Sequence, residues 1–101
     1  MFGFGAAVRL TELGGRDGLV RGESGGFRWE VRLARGPVSY GIDPETLYKG
    51  QGRVARLVLY APVGGTGLHR KVAAFDRGWL FGRKEHLTVI RRIVAYLERT
   101  V

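Results

Sequence analysis

Short apolar segments separated by glycine fill the first two-thirds of this chain, and this pattern limits the folds that it can adopt. In the clearest segment, Phe27, Trp29, Val31 and Leu33 alternate with polar or charged residues. Successive side chains of a strand point to opposite faces, so the alternation predicts a β-strand with one buried and one solvated face. Residues 24–26 and 64–67 are rich in glycine, which tolerates the positive φ of tight turns. We therefore expect neighbouring strands to pair antiparallel.

The same criteria predict further strands over residues 6–13, 19–21, 53–61 and 70–75, with a first turn at residues 14–18. Segment 53–61 is apolar on both faces apart from Arg53 and Arg56, which indicates a central strand covered on both sides. Gly36 and Pro37 predict the end of the strand that begins at Phe27, because proline has no N–H to donate to a ladder.

Residues 42–49 predict an excursion loop that contains one turn of helix. Asp43 is placed to be the N-cap of that turn, and Pro44 occupies its first position, where a missing N–H does no harm. Asp43 and Glu45 also offer two carboxylates to a hard cation, but calcium needs about six oxygen ligands and no further acidic residue is close in sequence. The turn is the favoured interpretation.

Residues 83–99 have a helical period instead. One broad apolar face collects residues spaced at about 100° per residue, namely His86, Leu87, Val89, Ile90, Ile93, Val94, Tyr96 and Leu97. Arg83 and Lys84 at the start oppose the helix dipole, so we expect a carboxylate nearby. The chain is long enough for one domain, residues 1–101. The predicted fold is α+β: a twisted antiparallel meander of four to six strands with this C-terminal helix on one face.

Composition excludes several classes of protein. The chain has no cysteine, which rules out disulfides, thiolate metal sites and cysteine nucleophiles. Its apolar runs are far shorter than the roughly 20 residues of a membrane span, and the N-terminus lacks the basic region of a secretion signal. We predict a soluble, cytoplasmic protein with no membrane partner.

Candidates for catalysis are few. His69 lies in a glycine-rich loop and His86 in the first helical turn, each without a partner at metal-ligand spacing. Residues 64–67 lack the lysine of a phosphate-binding loop and favour a hairpin tip. An enzyme would require one of the histidines to share a pocket with Asp76. We predict no catalytic residue, metal or cofactor, and a non-enzymatic protein.

Net charge is +8, and arginine supplies 14 of the 17 basic residues. This charge attracts polyanions, although an arginine excess also arises from genome composition or a hot habitat. The residues predicted to bind are Arg28, Arg32, Arg53, Arg56, Lys71 and Arg77. If Arg28, Arg32, Arg56 and Lys71 met on one sheet face around Tyr60, they would form a basic and aromatic platform for single-stranded nucleic acid. The alternative is a solvated face with cross-strand ion pairs.

Residues 76–79 place a carboxylate, a guanidinium, a glycine and a tryptophan in succession. We expect a structural latch, in which Gly78 permits a sharp turn and Trp79 inserts between sheet and helix. Asp76 would pair with Arg53 or Arg83. The alternative makes Asp76 and Arg77 exposed recognition residues at a strand end.

Three motifs resemble a family of short uncharacterised bacterial and phage-associated proteins. They are Ser39-Tyr40-Gly41-Ile42, then Gly52-Arg53-Val54 with Leu57, and Phe75-Asp76-Arg77-Gly78-Trp79. The similarity covers residues 27–79, and the segment 43–51 is an insertion relative to the family pattern. The resemblance implies the same sheet but no known activity, cofactor or catalytic residue.

Two functions follow as hypotheses. The first is a module that binds a protein partner or a second copy of itself, because small domains commonly gain stability from association. Exposed aromatic residues among Phe2, Phe4, Tyr48 and Phe81 would favour it. The second is a nucleic-acid-binding accessory protein that uses the strand arginines.

Overall fold

The computed structural model describes residues 8–12 and 18–100, and this part of the chain forms a six-stranded antiparallel sheet with one α-helix. The strands, which pair in sequence order, are β1 (Val8–Glu12), β2 (Leu19–Ser24), β3 (Phe27–Ile42), β4 (Lys49–Val63), β5 (Leu68–Asp76) and β6 (Trp79–Phe81). A 3₁₀ turn (Lys84–His86) leads into α1 (Leu87–Thr100). The α+β meander predicted from the sequence is confirmed.

One face of the sheet packs against α1 and holds the core. Trp29 and Val31 of β3 lie opposite Leu59 and Leu57 of β4, and all four side chains are buried. The helix contributes buried side chains at the spacing predicted from its sequence, namely Val89, Ile90, Ile93, Val94 and Leu97. The other face of the sheet, which we call the outer face, is not covered by α1.

Several predicted boundaries are wrong. β3 does not end at Gly36 and Pro37 but runs on to Ile42. Its pairing with β4 is irregular between Leu33 and Val38, so proline lies where the ladder is already interrupted and its missing N–H removes no regular bond. β2 extends beyond residue 21 to Ser24, and β6 is a strand that the sequence pattern did not predict. Of the predicted first turn, residues 14–17 lie outside the described residues.

The turn predicted after β3 is confirmed. The Asp43 carboxylate accepts hydrogen bonds from the N–H groups of Glu45 at 2.8 Å and Thr46 at 3.3 Å. Leu47 closes the turn with a φ of 62° and a fully buried side chain. The N-cap at Asp43 and the left-handed residue at Leu47 define both ends of the turn, so residues close in sequence determine its conformation.

The carbonyl oxygens of this turn accept hydrogen bonds from three side chains, those of Trp79, Arg83 and Arg91. Trp79 Nε1 donates to the Leu47 oxygen at 2.6 Å, and Arg83 donates to the Leu47 and Thr46 oxygens at 3.2 and 3.0 Å. Arg91 donates to the Glu45 oxygen at 3.0 Å. The carboxylate expected beside Arg83 is therefore replaced by backbone carbonyls, which carry the partial negative charge of a helical C-terminus.

Candidate nucleic-acid interface

Strand register decides which predicted binding residues meet. Arg28 of β3 lies opposite Tyr60 of β4, and Tyr60 lies opposite Lys71 of β5. Directly opposed residues of antiparallel strands share a face, and Arg28 and Tyr60 alternate with the buried residues beneath α1. Lys71 comes opposite Tyr60 through a register shift between β4 and β5. The three residues therefore form one row across the outer face, with the phenol ring between two cations.

A second row lies four residues farther along β3. Arg32 is opposite Arg56 of β4, and Arg56 is opposite Asp76 of β5. The two rows bring Arg28, Arg32, Arg56 and Lys71 together with Tyr60 on the outer face. This is the arrangement on which the platform hypothesis depends.

Between the two rows the outer face carries Glu30 on β3 and is apolar from β4 to β6. Val58 lies opposite Ala74, and Ala74 lies opposite Phe81 of β6. Val58 and Ala74 are only 3% and 6% exposed, and neighbours on the outer face must cover them because α1 lies on the other side. The Phe81 ring is 46% exposed. Phe81 thus presents an aromatic surface between two rows of cations.

Acidic residues neutralise the β1–β2 end of the outer face. Arg9 pairs with Glu23 at 2.7 Å, and Arg21 pairs with Glu30 at 2.7 Å and Glu12 at 2.8 Å. The hydrogen bonds that Arg21 donates to the Glu30 carboxylate, and secondly to Glu12, raise the pKa of Arg21 above its ordinary value. The cross-strand pairs expected for a solvated face are therefore present at this end.

The β3–β5 end keeps its positive charge. Within the described ranges, Arg28, Arg56 and Lys71 form no ion pair with a carboxylate within 4.0 Å. A cavity of about 400 Å³ beside the first row is lined by Arg28, Tyr60 and His69 and also by the ion-paired residues Arg21, Glu23 and Glu30. A second cavity of about 270 Å³ beside the other row is lined by Arg32, Tyr40, Ala55, Arg56, Asp76 and Arg77. Both cavities open on the outer face.

Two predicted residues are placed differently from the rest. Arg53 is half-buried; its Nε donates to the Ala34 oxygen at 3.1 Å and its backbone N–H donates to Glu98 at 2.8 Å. It takes no part in either row. Arg77 does reach the outer face, where its guanidinium lies 4.9 Å from the centre of the Tyr40 ring.

In the segment 76–79, Trp79 contacts the turn 43–48, whereas Asp76 does not pair with either predicted arginine. The Trp79 ring packs edge-on against Phe75 at 5.2 Å and holds the Leu47 carbonyl. The Asp76 carboxylate forms no ion pair with Arg53, Arg83 or any other described residue, and its backbone N–H donates to the Gly78 oxygen at 2.9 Å. The Trp79 indole therefore makes the contacts with the turn, and Asp76 lines the second cavity.

The histidines lie apart from Asp76. His69 Nε2 lies 3.3 Å from the Gly26 oxygen, and the His86 ring packs edge-on against Phe27 at 5.6 Å. No group of three histidine or acidic side chains in the described part of the chain is arranged to hold a metal ion.

Sequence reasoning gave no binding role to Tyr40 and considered Phe81 only for self-association. The Tyr-Gly-Ile motif could have drawn attention to Tyr40. Phe81 could not have been predicted in this way, because only the pairing of β6 with β5 brings it to the outer face.

Fold and site together define a class: a small α+β protein whose antiparallel sheet is covered by a helix on one face and open, basic and aromatic on the other. Comparison with known protein families, with curated proteins and with solved structures found no match. No helix among residues 8–12 and 18–100 is long and apolar enough to cross a membrane.

Proposed function

We propose that the protein is a non-enzymatic module that binds single-stranded nucleic acid on its outer face. The observation that carries the proposal is the register of β3, β4 and β5, which places Arg28, Arg32, Arg56 and Lys71 on one face around Tyr60. Cations spaced along a sheet attract the phosphates of an extended strand, while aromatic rings between them stack on its bases. Arg28, Arg56 and Lys71 form no ion pair within the described residues, which supports the proposal, because such cations release only water and counterions when they bind phosphate.

Charge reversal on the outer face tests the proposal. In the double variant Arg28→Glu/Arg32→Glu we expect the affinity for a labelled ten-nucleotide single strand to fall about 30-fold, because two phosphate contacts become repulsive. The matched control is Arg92→Glu/Arg99→Glu on the exposed side of α1, which changes net charge equally. Fluorescence anisotropy measures both. Equal losses in the two variants would make binding a nonspecific effect of net charge and overturn the proposal.

Salt dependence gives a second readout of the same binding. With four cations engaged, the logarithm of the affinity for a single strand should fall against the logarithm of salt with a slope of about −3. Duplex DNA should bind more weakly at each salt concentration, since its bases are not available for stacking.

The Tyr60 ring separates the contribution of stacking from that of charge. In Tyr60→Ala we expect the affinity for the single strand to fall about tenfold while the salt slope stays near its original value, because no cation is removed. Thermal denaturation monitors folding of the variant. A change of slope without a loss of affinity would contradict a stacking role.

A second candidate function is self-association or binding of a protein partner at β6. Leu80 is 67% exposed and Phe81 is 46% exposed on this last strand, which lies at an open edge of the sheet. Light scattering on the wild type and on Leu80→Glu tests it. A mass of one chain for both proteins would refute self-association.

A further inference from the structure

We infer that the cavity beside Arg56 is a pocket for one guanine base of the bound strand. The inference rests on the proposed function and names the base that the outer face prefers. The cavity of about 270 Å³ combines one carboxylate, three guanidiniums and one phenol, from Asp76, Arg32, Arg56, Arg77 and Tyr40. Such a donor and acceptor set restricts the ligands that satisfy it.

The carboxylate makes the first restriction. Asp76 lines the cavity and lies opposite Arg56, yet it forms no ion pair with a described residue within 4.0 Å. Both of its oxygens are therefore available as acceptors. Guanine presents two adjacent N–H donors, N1–H and the N2 amino group, which match the two oxygens of one carboxylate. Adenine and cytosine each present one amino donor, and thymine presents one ring N–H.

The guanidiniums make the second restriction. Guanine O6 and N7 are both acceptors, and arginine binds this pair with two parallel hydrogen bonds. Arg32 and Arg56 come from neighbouring positions of β3 and β4 and line the same cavity as Asp76. A base held by Asp76 thus finds arginine donors within the same cavity, and a remaining guanidinium is placed for the phosphate of that nucleotide.

Tyr40 and Arg77 supply planar surfaces. The Arg77 guanidinium lies 4.9 Å from the Tyr40 ring centre, and such planes of arginine and tyrosine stack on unpaired bases. Arg77 also has a φ of 63°, in the left-handed region that residues other than glycine rarely adopt. Backbone strain of this kind persists where surrounding structure holds it, and it is concentrated at binding sites.

A single base substitution tests the inference. We expect an oligothymidine of ten nucleotides to bind about tenfold more tightly when one central thymine is replaced by guanine. Replacement by hypoxanthine, which lacks the N2 amino group, should keep only about a threefold gain. Competition measured by anisotropy gives the ratio of the affinities directly.

The carboxylate variant identifies the pocket. In Asp76→Asn the ratio of guanine-containing to all-thymine affinity should fall to about one, because an amide offers one acceptor in place of two. The control is Glu85→Gln, which removes the same charge from an exposed residue outside the cavity. It should keep the tenfold ratio.

The outcomes separate the two proposals. If oligothymidine binds but the guanine-containing strand binds no better, the guanine pocket is refuted and nucleic-acid binding stands. A tenfold gain that survives in Asp76→Asn also refutes the pocket. If neither strand binds at low salt, the proposed function fails and the inference fails with it.

Discussion

Gly52→Ala is expected to destabilise the protein by about 3–5 kcal/mol and to lower its midpoint of thermal unfolding by about 15–30 °C. β3 and β4 approach each other closely at Gly41 and Gly52, where the register between the two strands shifts. A Cβ on Gly52 would collide with the carbonyl oxygen of Ile42, and one on Gly41 would collide with the carbonyl oxygen of Gly52, both well inside 3.0 Å. Backbone atoms cannot move aside by changing rotamer, so the two strands would have to separate.

Gly36→Ala is the matched control for this prediction. Gly36 lies in β3, the partner strand of Gly52, but a Cβ added there would meet no atom of the described residues within 4 Å. Its replacement should change stability by no more than about 1 kcal/mol, since alanine restricts the unfolded chain without a clash in the folded one. Thermal unfolding followed by circular dichroism compares the three proteins. Equal losses for the two variants would show that the close crossing does not limit stability.

Trp79→Ala is expected to cost about 3 kcal/mol of unfolding free energy, because it removes the ring that packs on Phe75 and the donor that holds the Leu47 carbonyl. Leu47 is fully buried with a left-handed φ of 62°, so its turn depends on outside contacts to stay in place. Losing the indole should release the turn 43–48 as well as open a cavity.

Two further variants separate the contribution of the Trp79 ring from those of its N–H group and of Asp76. Trp79→Phe keeps a ring but loses the N–H, and we expect a cost of about 1 kcal/mol, since Arg83 still donates to the same oxygen at 3.2 Å. Asp76→Asn should change stability by less than about 0.5 kcal/mol, because its carboxylate has no ion pair among residues 8–12 and 18–100. Urea denaturation measures all three. If Asp76→Asn cost as much unfolding free energy as Trp79→Ala, the Asp76 carboxylate, and not the indole, would stabilise this segment.

Local sequence signals predicted the elements of the fold. Period-two alternation from Phe27 identified β3, and helical spacing identified the residues of α1 that are buried. Asp43 followed by Pro44 predicted the turn because N-cap chemistry acts within four residues. Each of these predictions depends only on residues that are close in sequence, so the sequence of one segment is sufficient to make it.

The same locality explains the errors. Pro37 was predicted to end β3, but a proline is tolerated where the partner strand already leaves the ladder irregular, and no local pattern reveals the partner. β6 has three residues and becomes a strand only because β5 is beside it. Asp76 was assigned an arginine partner from its charge alone, although Arg83 is occupied by carbonyls of a turn 36 residues or more away in sequence.

For the candidate interface, the sequence by itself determined that Arg28 and Arg32 alternate with core residues on β3, and therefore that they point away from the core. Only the tertiary structure decided which of them meet, because register joins residues distant in sequence: Tyr60 to Arg28 and Lys71, and Arg56 to Asp76. Register is set by bulges and close glycine crossings between strands, which are properties of pairs of segments. Alternation within one strand determines which of its residues share a face, and the pairing of strands determines which residues of different strands become neighbours on that face.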